Sequence, residues 1–189
     1  MSGSLVLQAI AHALEKEKVV WALGGSLMLQ QYGLVGSAND IDLLVAMPDA
    51  ARSHAALALL GRGGPGGSKA PFCTKHFYQY RIEEHDVDVM GDYSTEHEAG
   101  VYVLPFDAAS VVRVAEVDGV PVPLSALEDW FVLYQLMPAK KGKADLIESY
   151  LLEHGVERPD LLERALAGAL PDHVRSRVSK LLQAQSHLR

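Results

Sequence analysis

Two acids stand inside a stretch that otherwise reads as a buried strand. In Asp40-Ile41-Asp42-Leu43-Leu44-Val45-Ala46-Met47, carboxylates occupy alternate positions of an apolar run. Strand side chains alternate between faces, so Asp40 and Asp42 point one way and Ile41, Leu43 and Val45 point the other, toward a core. Alternation alone gives a strand one solvated face. Leu44 shares the face of the acids, however, so that face is not simply polar. Two ionised carboxylates within reach of each other repel. A hard cation such as Mg²⁺, which takes oxygen ligands, removes that repulsion. A second segment, His85-Asp86-Val87-Asp88-Val89-Met90, repeats the alternation of acid and apolar residue. If the two strands are neighbours, Asp88 or Asp86 joins Asp40 and Asp42. Three carboxylates holding two Mg²⁺ ions suit phosphoryl or nucleotidyl transfer, in which an attacking hydroxyl must be activated and a leaving pyrophosphate stabilised.

A third feature lies upstream, where Trp21-Ala22-Leu23 ends in Gly24-Gly25-Ser26. A turn without side chains at a helix N-terminus offers backbone N–H groups and the positive end of the helix dipole to a phosphate. Ser26 adds a hydroxyl donor. An ordinary strand-to-helix turn capped by serine has the same composition. Gly24, Gly25 and Ser26 therefore gain meaning only beside the two acidic segments.

The elements that must position these residues follow from pattern and punctuation. Leu5, Leu7, Ile10, Ala13 and Leu14 fall at roughly helical spacing. Val19 to Leu23 reads as a short buried strand, Ser26 as the N-cap of a helix over Leu27 to Tyr32, and Gly33 as its stop. A strand over Asp40 to Met47 is followed by a helix opening at Pro48 and Asp49. Gly61-Arg62-Gly63-Gly64-Pro65-Gly66-Gly67-Ser68-Lys69 reads as a flexible loop. It matches G-x-G-x-x-G in form but follows a helix and contains proline, which argues against a dinucleotide site. Phe72 to Ile82 and His85 to Met90 form a hairpin around Glu83-Glu84, and Asp118-Gly119 marks a second. Beyond Pro123 the chain turns helical. Ser125 and Glu128 have capping-box spacing for a helix through Leu136, and further helices are expected over 142–154, 158–168 and 171–187. The expected fold is α+β: a mixed, twisted β-sheet flanked by helices over residues 1–123, then a C-terminal helical region over 124–189.

Composition sets bounds on function. A chain of 189 residues suits one domain, or one domain with a small appendage, and can bury a real core. A net charge of -7 argues against an extended grip on nucleic acid, although a metal ion can still mediate between carboxylates and phosphates. Cys73 is the single cysteine, so a reducing, cytoplasmic setting is expected. The N-terminus lacks the features of a signal peptide, and no apolar run has the length of a membrane span. His76, His85 and His97 lack the spacing of zinc ligands.

The combination of strand, Gly24-Gly25-Ser26, helix, Asp40-Ile41-Asp42 in an apolar strand, and a later Asp between apolar residues resembles the DNA polymerase beta-type nucleotidyltransferase superfamily. Its small bacterial members, the antibiotic nucleotidyltransferases and the type IV toxin-like nucleotidyltransferases, are the nearest likeness. The resemblance covers about residues 18 to 123. It extends into Lys140-Lys141-Gly142-Lys143, which is similar to the lysine-rich helix start of toxin-like members. It implies that Gly24, Gly25 and Ser26 hold nucleotide phosphates and that Asp40, Asp42 and Asp88 bind two Mg²⁺ ions, with Asp88 also the base. Lys143 would reach the triphosphate, or else stand in a solvated loop. Asp86 is the competing third acid, and Asp88 is preferred because Val87 and Val89 flank it.

The implied activity moves a nucleoside monophosphate from an NTP to a hydroxyl on a small molecule, a protein side chain or an RNA end. An antitoxin-like protein partner is a further implication, and no membrane is involved. Two departures bear on substrate choice: Ser37-Ala38-Asn39 replaces the Arg or Thr that members often carry before the paired acids, and Ala144 rather than an acid follows Lys143. A transferase-like binding or regulatory protein without activity, and a sugar-nucleotide glycosyltransferase using the paired acids for its metal, are the competing readings. The second gives Gly24-Gly25-Ser26 no task.

Overall fold

A computed structural model describes residues 3–186. His187, the last residue of the expected C-terminal helix, lies outside them. In chain order the elements are α1 (Gly3–Lys16), β1 (Trp21–Leu23), α2 (Gly25–Gln31), β2 (Ile41–Val45), α3 (Ala50–Leu57), β3 (Arg62–Pro65), β4 (His76–Ile82) and β5 (His85–Gly91). They continue with β6 (Ser94–His97), β7 (Gly100–Val103), β8 (Val111–Val117), β9 (Val120–Ser125), α4 (Leu127–Leu136), α5 (Lys141–His154), α6 (Pro159–Leu166) and α7 (Asp172–Ser186).

The chain forms two compact units. The first holds the residues up to Ser68, Thr74–Tyr93 and Pro105–Ser125; the second holds Lys69–Cys73, Ser94–Leu104 and the residues from Ala126 onward. The first unit is built on a seven-stranded sheet in the order β3-β4-β5-β2-β1-β9-β8. The pairs β2/β5 and β1/β9 are parallel and the rest antiparallel, so the sheet is mixed and the fold is α+β as expected. Its centre is made by strands whose apolar residues are buried: Leu43, Leu44 and Val45 on β2, Val87, Val89 and Met90 on β5. The turn between β8 and β9 places Asp118 and Gly119 at φ 50° and 81°. Two successive positive φ values match the twist of the flanking strands, which is why this dipeptide makes a two-residue hairpin.

Several local expectations are corrected. The buried stripe of α1 is Val6, Leu7, Ile10, Ala11 and Leu14, while Leu5 is 46% exposed. The helix α2 starts at Gly25, with Gly24 as its cap and no side-chain capping bond, so Ser26 sits inside the first turn. The glycine-rich segment is not a free loop: Arg62–Pro65 pairs with β4 as the edge strand β3. Its glycines permit the pairing, since a β-carbon at Gly63 would fall 2.3 Å from the Gln79 carbonyl oxygen. The cap position of α4 is Ala126, one residue after Ser125. Ser125 Oγ instead donates to the Leu23 carbonyl at 2.8 Å, because Ser125 still belongs to β9. Glu128 Oε1 accepts from the amides of Glu157 and Arg158, both at 2.9 Å.

The second unit contains the β6–β7 hairpin, over which no element is expected from the sequence, and the helices α4 to α7. All ten residues of α4 are buried. A helix covered on every side is a central helix, and α5, α6 and α7 each pack against it. They contribute Ile147 and Leu151, Leu161 and Leu162, and Val174, Val178 and Leu181. Among the described residues no helix is long and apolar enough to cross a membrane.

Candidate active site

One register row crosses the first unit and gathers the chemistry. The Gly24 N–H donates to the Asp42 carbonyl at 2.8 Å. Asp42 pairs with Asp88 across the parallel strands β2 and β5. Asp88 pairs with Gln79 on β4, and Gln79 with Gly64 on β3. Residues opposite one another in a sheet project from the same face, so the side chains of Asp42, Asp88 and Gln79 share one face.

The helix α2 lies on that face. Gly25 is buried with φ 60°. A β-carbon there would fall 1.8 Å from Asp42 Oδ2. Glycine is thus required twice, for the left-handed backbone and for the space the Asp42 carboxylate fills. Ser26 follows as a half-buried residue of the same first turn. The glycine turn and the strand acids are one constellation, held by a backbone hydrogen bond and a close side-chain approach.

The remaining acids differ in their surroundings. Asp40 is exposed, one residue before β2. Asp88 is half-buried and accepts from Gln79 Nε2 at 3.1 Å. Burial raises the Asp88 carboxyl above its ordinary range, the Gln79 hydrogen bond opposes the rise, and the negative charges of Asp40 and Asp86 add to it. Asp86 is exposed and faces Arg81 across the hairpin, with Arg81 Nη1 donating to its Oδ1 at 2.7 Å. Arg81 also meets Glu84 at 3.5 Å. The two acids of β5 therefore have different partners on β4, a guanidinium for Asp86 and a neutral amide for Asp88.

The donor set consists of carboxylate oxygens without thiolate or imidazole, which fits a hard, oxygen-seeking cation. Asp88 gathers negative charge around a part-buried carboxyl, the arrangement a cation would relieve. Among the described residues, no three His, Cys, Asp or Glu side chains stand at spacing ready to ligate a metal as they lie. Lys143 belongs to the second unit, where it is the third residue of α5, half-buried, with Nζ 5.3 Å from the centroid of the Tyr134 ring. Neither Gln79 nor Arg81 is legible as a partner from sequence, because their pairing depends on the hairpin register.

This fold is shared with solved nucleotidyltransferases. Three solved structures illustrate the likeness. A candidate nucleotidyltransferase from Thermotoga maritima is 26% identical, with a TM-score of 0.59 over 79% of this chain and 92% of its own. The structure of ANT(2'')-Ia in complex with adenylyl-2''-tobramycin is 16% identical, with a TM-score of 0.57 over 94% of this chain and 99% of its own. The solution structure of the same antibiotic-resistance factor is 17% identical, with a TM-score of 0.57 over 97% of each chain. No protein-family model matches the chain, and no curated protein matches it in sequence.

Proposed function

We propose that this chain is a Mg²⁺-dependent nucleotidyltransferase that moves a nucleoside monophosphate from an NTP to a hydroxyl group. The observation that carries the reading is the approach of Asp42 Oδ2 to Gly25, which joins the phosphate-binding turn to the first of two register-paired acids. Asp40, Asp42 and Asp88 are the residues that would hold Mg²⁺. When bound, the cation offsets their mutual repulsion and takes up charge on the phosphoryl group and the leaving pyrophosphate.

The backbone around Gly24, Gly25 and Ser26 binds and orients the phosphates. Asp88 accepts the proton of the acceptor hydroxyl. The oxygen of the acceptor hydroxyl forms a bond to the α-phosphorus as the bond from that phosphorus to the α,β-bridging oxygen breaks, and pyrophosphate leaves. A small-molecule hydroxyl is the preferred acceptor over a protein or an RNA end. The net charge of -7 disfavours RNA, and ANT(2'')-Ia is seen with an adenylylated small molecule.

The test uses each NTP labelled at either the α- or the γ-phosphate, with Mg²⁺ and a panel of hydroxyl-bearing small molecules. Label from the α-position is expected in the product, with pyrophosphate released. Asp88→Asn is expected to lower turnover about 10²- to 10⁴-fold, the usual worth of a positioned base. Transfer of γ-label would refute the assignment.

A further inference from the structure

Gln79 stands beside Asp88 in the register row and is the residue on β4 that touches it. Its position is exposed, so burial does not explain a side chain aimed along the sheet. On the edge side its row partner is Gly64, which offers no side chain, and a β-carbon at Gly64 would meet nothing within 4 Å. The amide of Gln79 thus has Asp88 as its one cross-strand side-chain neighbour in the row. Two residues along, Arg81 treats Asp86 differently: a full positive charge pairs with that carboxylate at 2.7 Å.

A guanidinium competes with a cation for a carboxylate. A neutral amide fixes one oxygen and leaves the negative charge in place. We propose that Gln79 is a positioning residue for Asp88: its Nε2–H holds Oδ1, which leaves Oδ2 and the negative charge available to a divalent cation. Partners that orient a metal-binding carboxylate are worth about 10- to 100-fold in metal affinity or activity when removed. The proposal rests on the nucleotidyltransferase reading given above and names a residue outside the glycine turn and the three acids. It also accounts for the choice of Asp88 over Asp86.

Calorimetric titration of Mg²⁺ into the whole protein, alone and with a non-hydrolysable ATP analogue, compares wild type with Gln79→Leu, Gln79→Arg and Asp88→Asn. Thermal midpoints in metal-free buffer check that each variant is folded, which the exposure of Gln79 favours. Gln79→Leu is expected to weaken Mg²⁺ binding about 10-fold or more. In turnover it is expected to lower kcat and raise the Mg²⁺ needed for half-maximal rate while leaving KM for the nucleotide near wild type. Gln79→Arg is expected to abolish Mg²⁺ binding by giving Asp88 the partner that Asp86 has. If Asp88→Asn loses the cation while Gln79→Leu and Gln79→Arg bind it as wild type does, the role of Gln79 is wrong and the transferase reading stands. Wild-type protein that binds no Mg²⁺ under either condition overturns both.

Discussion

Gly25 and Asp42 share one space, and that contact is the most sensitive point of the site. With φ at 60° and Asp42 Oδ2 1.8 Å from where a β-carbon would lie, Gly25→Ala forces either the backbone or the carboxylate to move. The left-handed backbone alone costs an alanine about 1–2 kcal/mol. The expected result is a lower thermal midpoint together with loss of nucleotide binding, read by calorimetry with an ATP analogue. Unchanged binding would separate the glycine from the phosphates. Asp42 is legible in the sequence because alternation sets its face on β2, whereas Asp40 lies one residue before the strand. The choice between Asp86 and Asp88 is not legible there, since both project from the same face of β5. Their partners across the hairpin, Arg81 and Gln79, distinguish them, and that pairing follows from the register Ile82 to His85.

The acids depend on how β1 and β2 are held. Asp49 is 6% exposed and ties the two: its Oδ2 accepts from the Val20 amide at 2.7 Å, and Oδ1 pairs with Arg52. The Ala46 amide donates to the Val20 carbonyl nearby at 2.9 Å. Asp49→Ala leaves the half-buried Val20 N–H without this acceptor and is expected to destabilise the protein by about 1–3 kcal/mol. Denaturant unfolding measures this, and Mg²⁺ binding by the folded variant should be little changed because Asp49 lies outside the acidic row. On the other face of β4, Tyr80 meets His54 Nδ1 of α3 at 2.5 Å, and burial pushes its hydroxyl up to about 12.

At this scale the sequence was readable wherever a local signal agreed with the tertiary one. Asp118-Gly119 and the strand runs at Ile41 and Val87 are such places. It misled where composition spoke for a loop but neighbours supplied a partner. Arg62–Pro65 becomes a strand because β4 offers an edge that only a chain poor in side chains can approach so closely. Ser125 and Glu128 have capping-box spacing, but each is claimed by a distant backbone group, the Leu23 carbonyl and the amides of Glu157 and Arg158.

Over the whole molecule, stability should carry a signature of the second unit. Glu128 is buried, and burial raises its carboxyl above the ordinary value against the opposing hydrogen bonds of the Arg158, Glu128 and Glu157 amides. The folded state therefore binds a proton more tightly than the unfolded chain. The stabilisation from this proton is complete below the ordinary glutamate range and is lost as pH rises through the raised value. Glu128→Gln keeps the acceptor oxygen and removes the charge. It is expected to flatten the fall in stability across that window, measured by urea unfolding from pH 4 to 7; identical slopes would contradict it.

The fold is shared with nucleotidyltransferases at 16% to 26% identity. What the likeness shows at that distance is a shared arrangement of strands and helices. A structure determined with Mg²⁺ and a non-hydrolysable NTP analogue tests the central claim most directly. The account predicts the triphosphate at Gly24, Gly25 and Ser26, with Asp42 and Asp88 sharing a cation beside the α-phosphate. A nucleotide bound elsewhere, or Asp88 turned away from the cation, would contradict it.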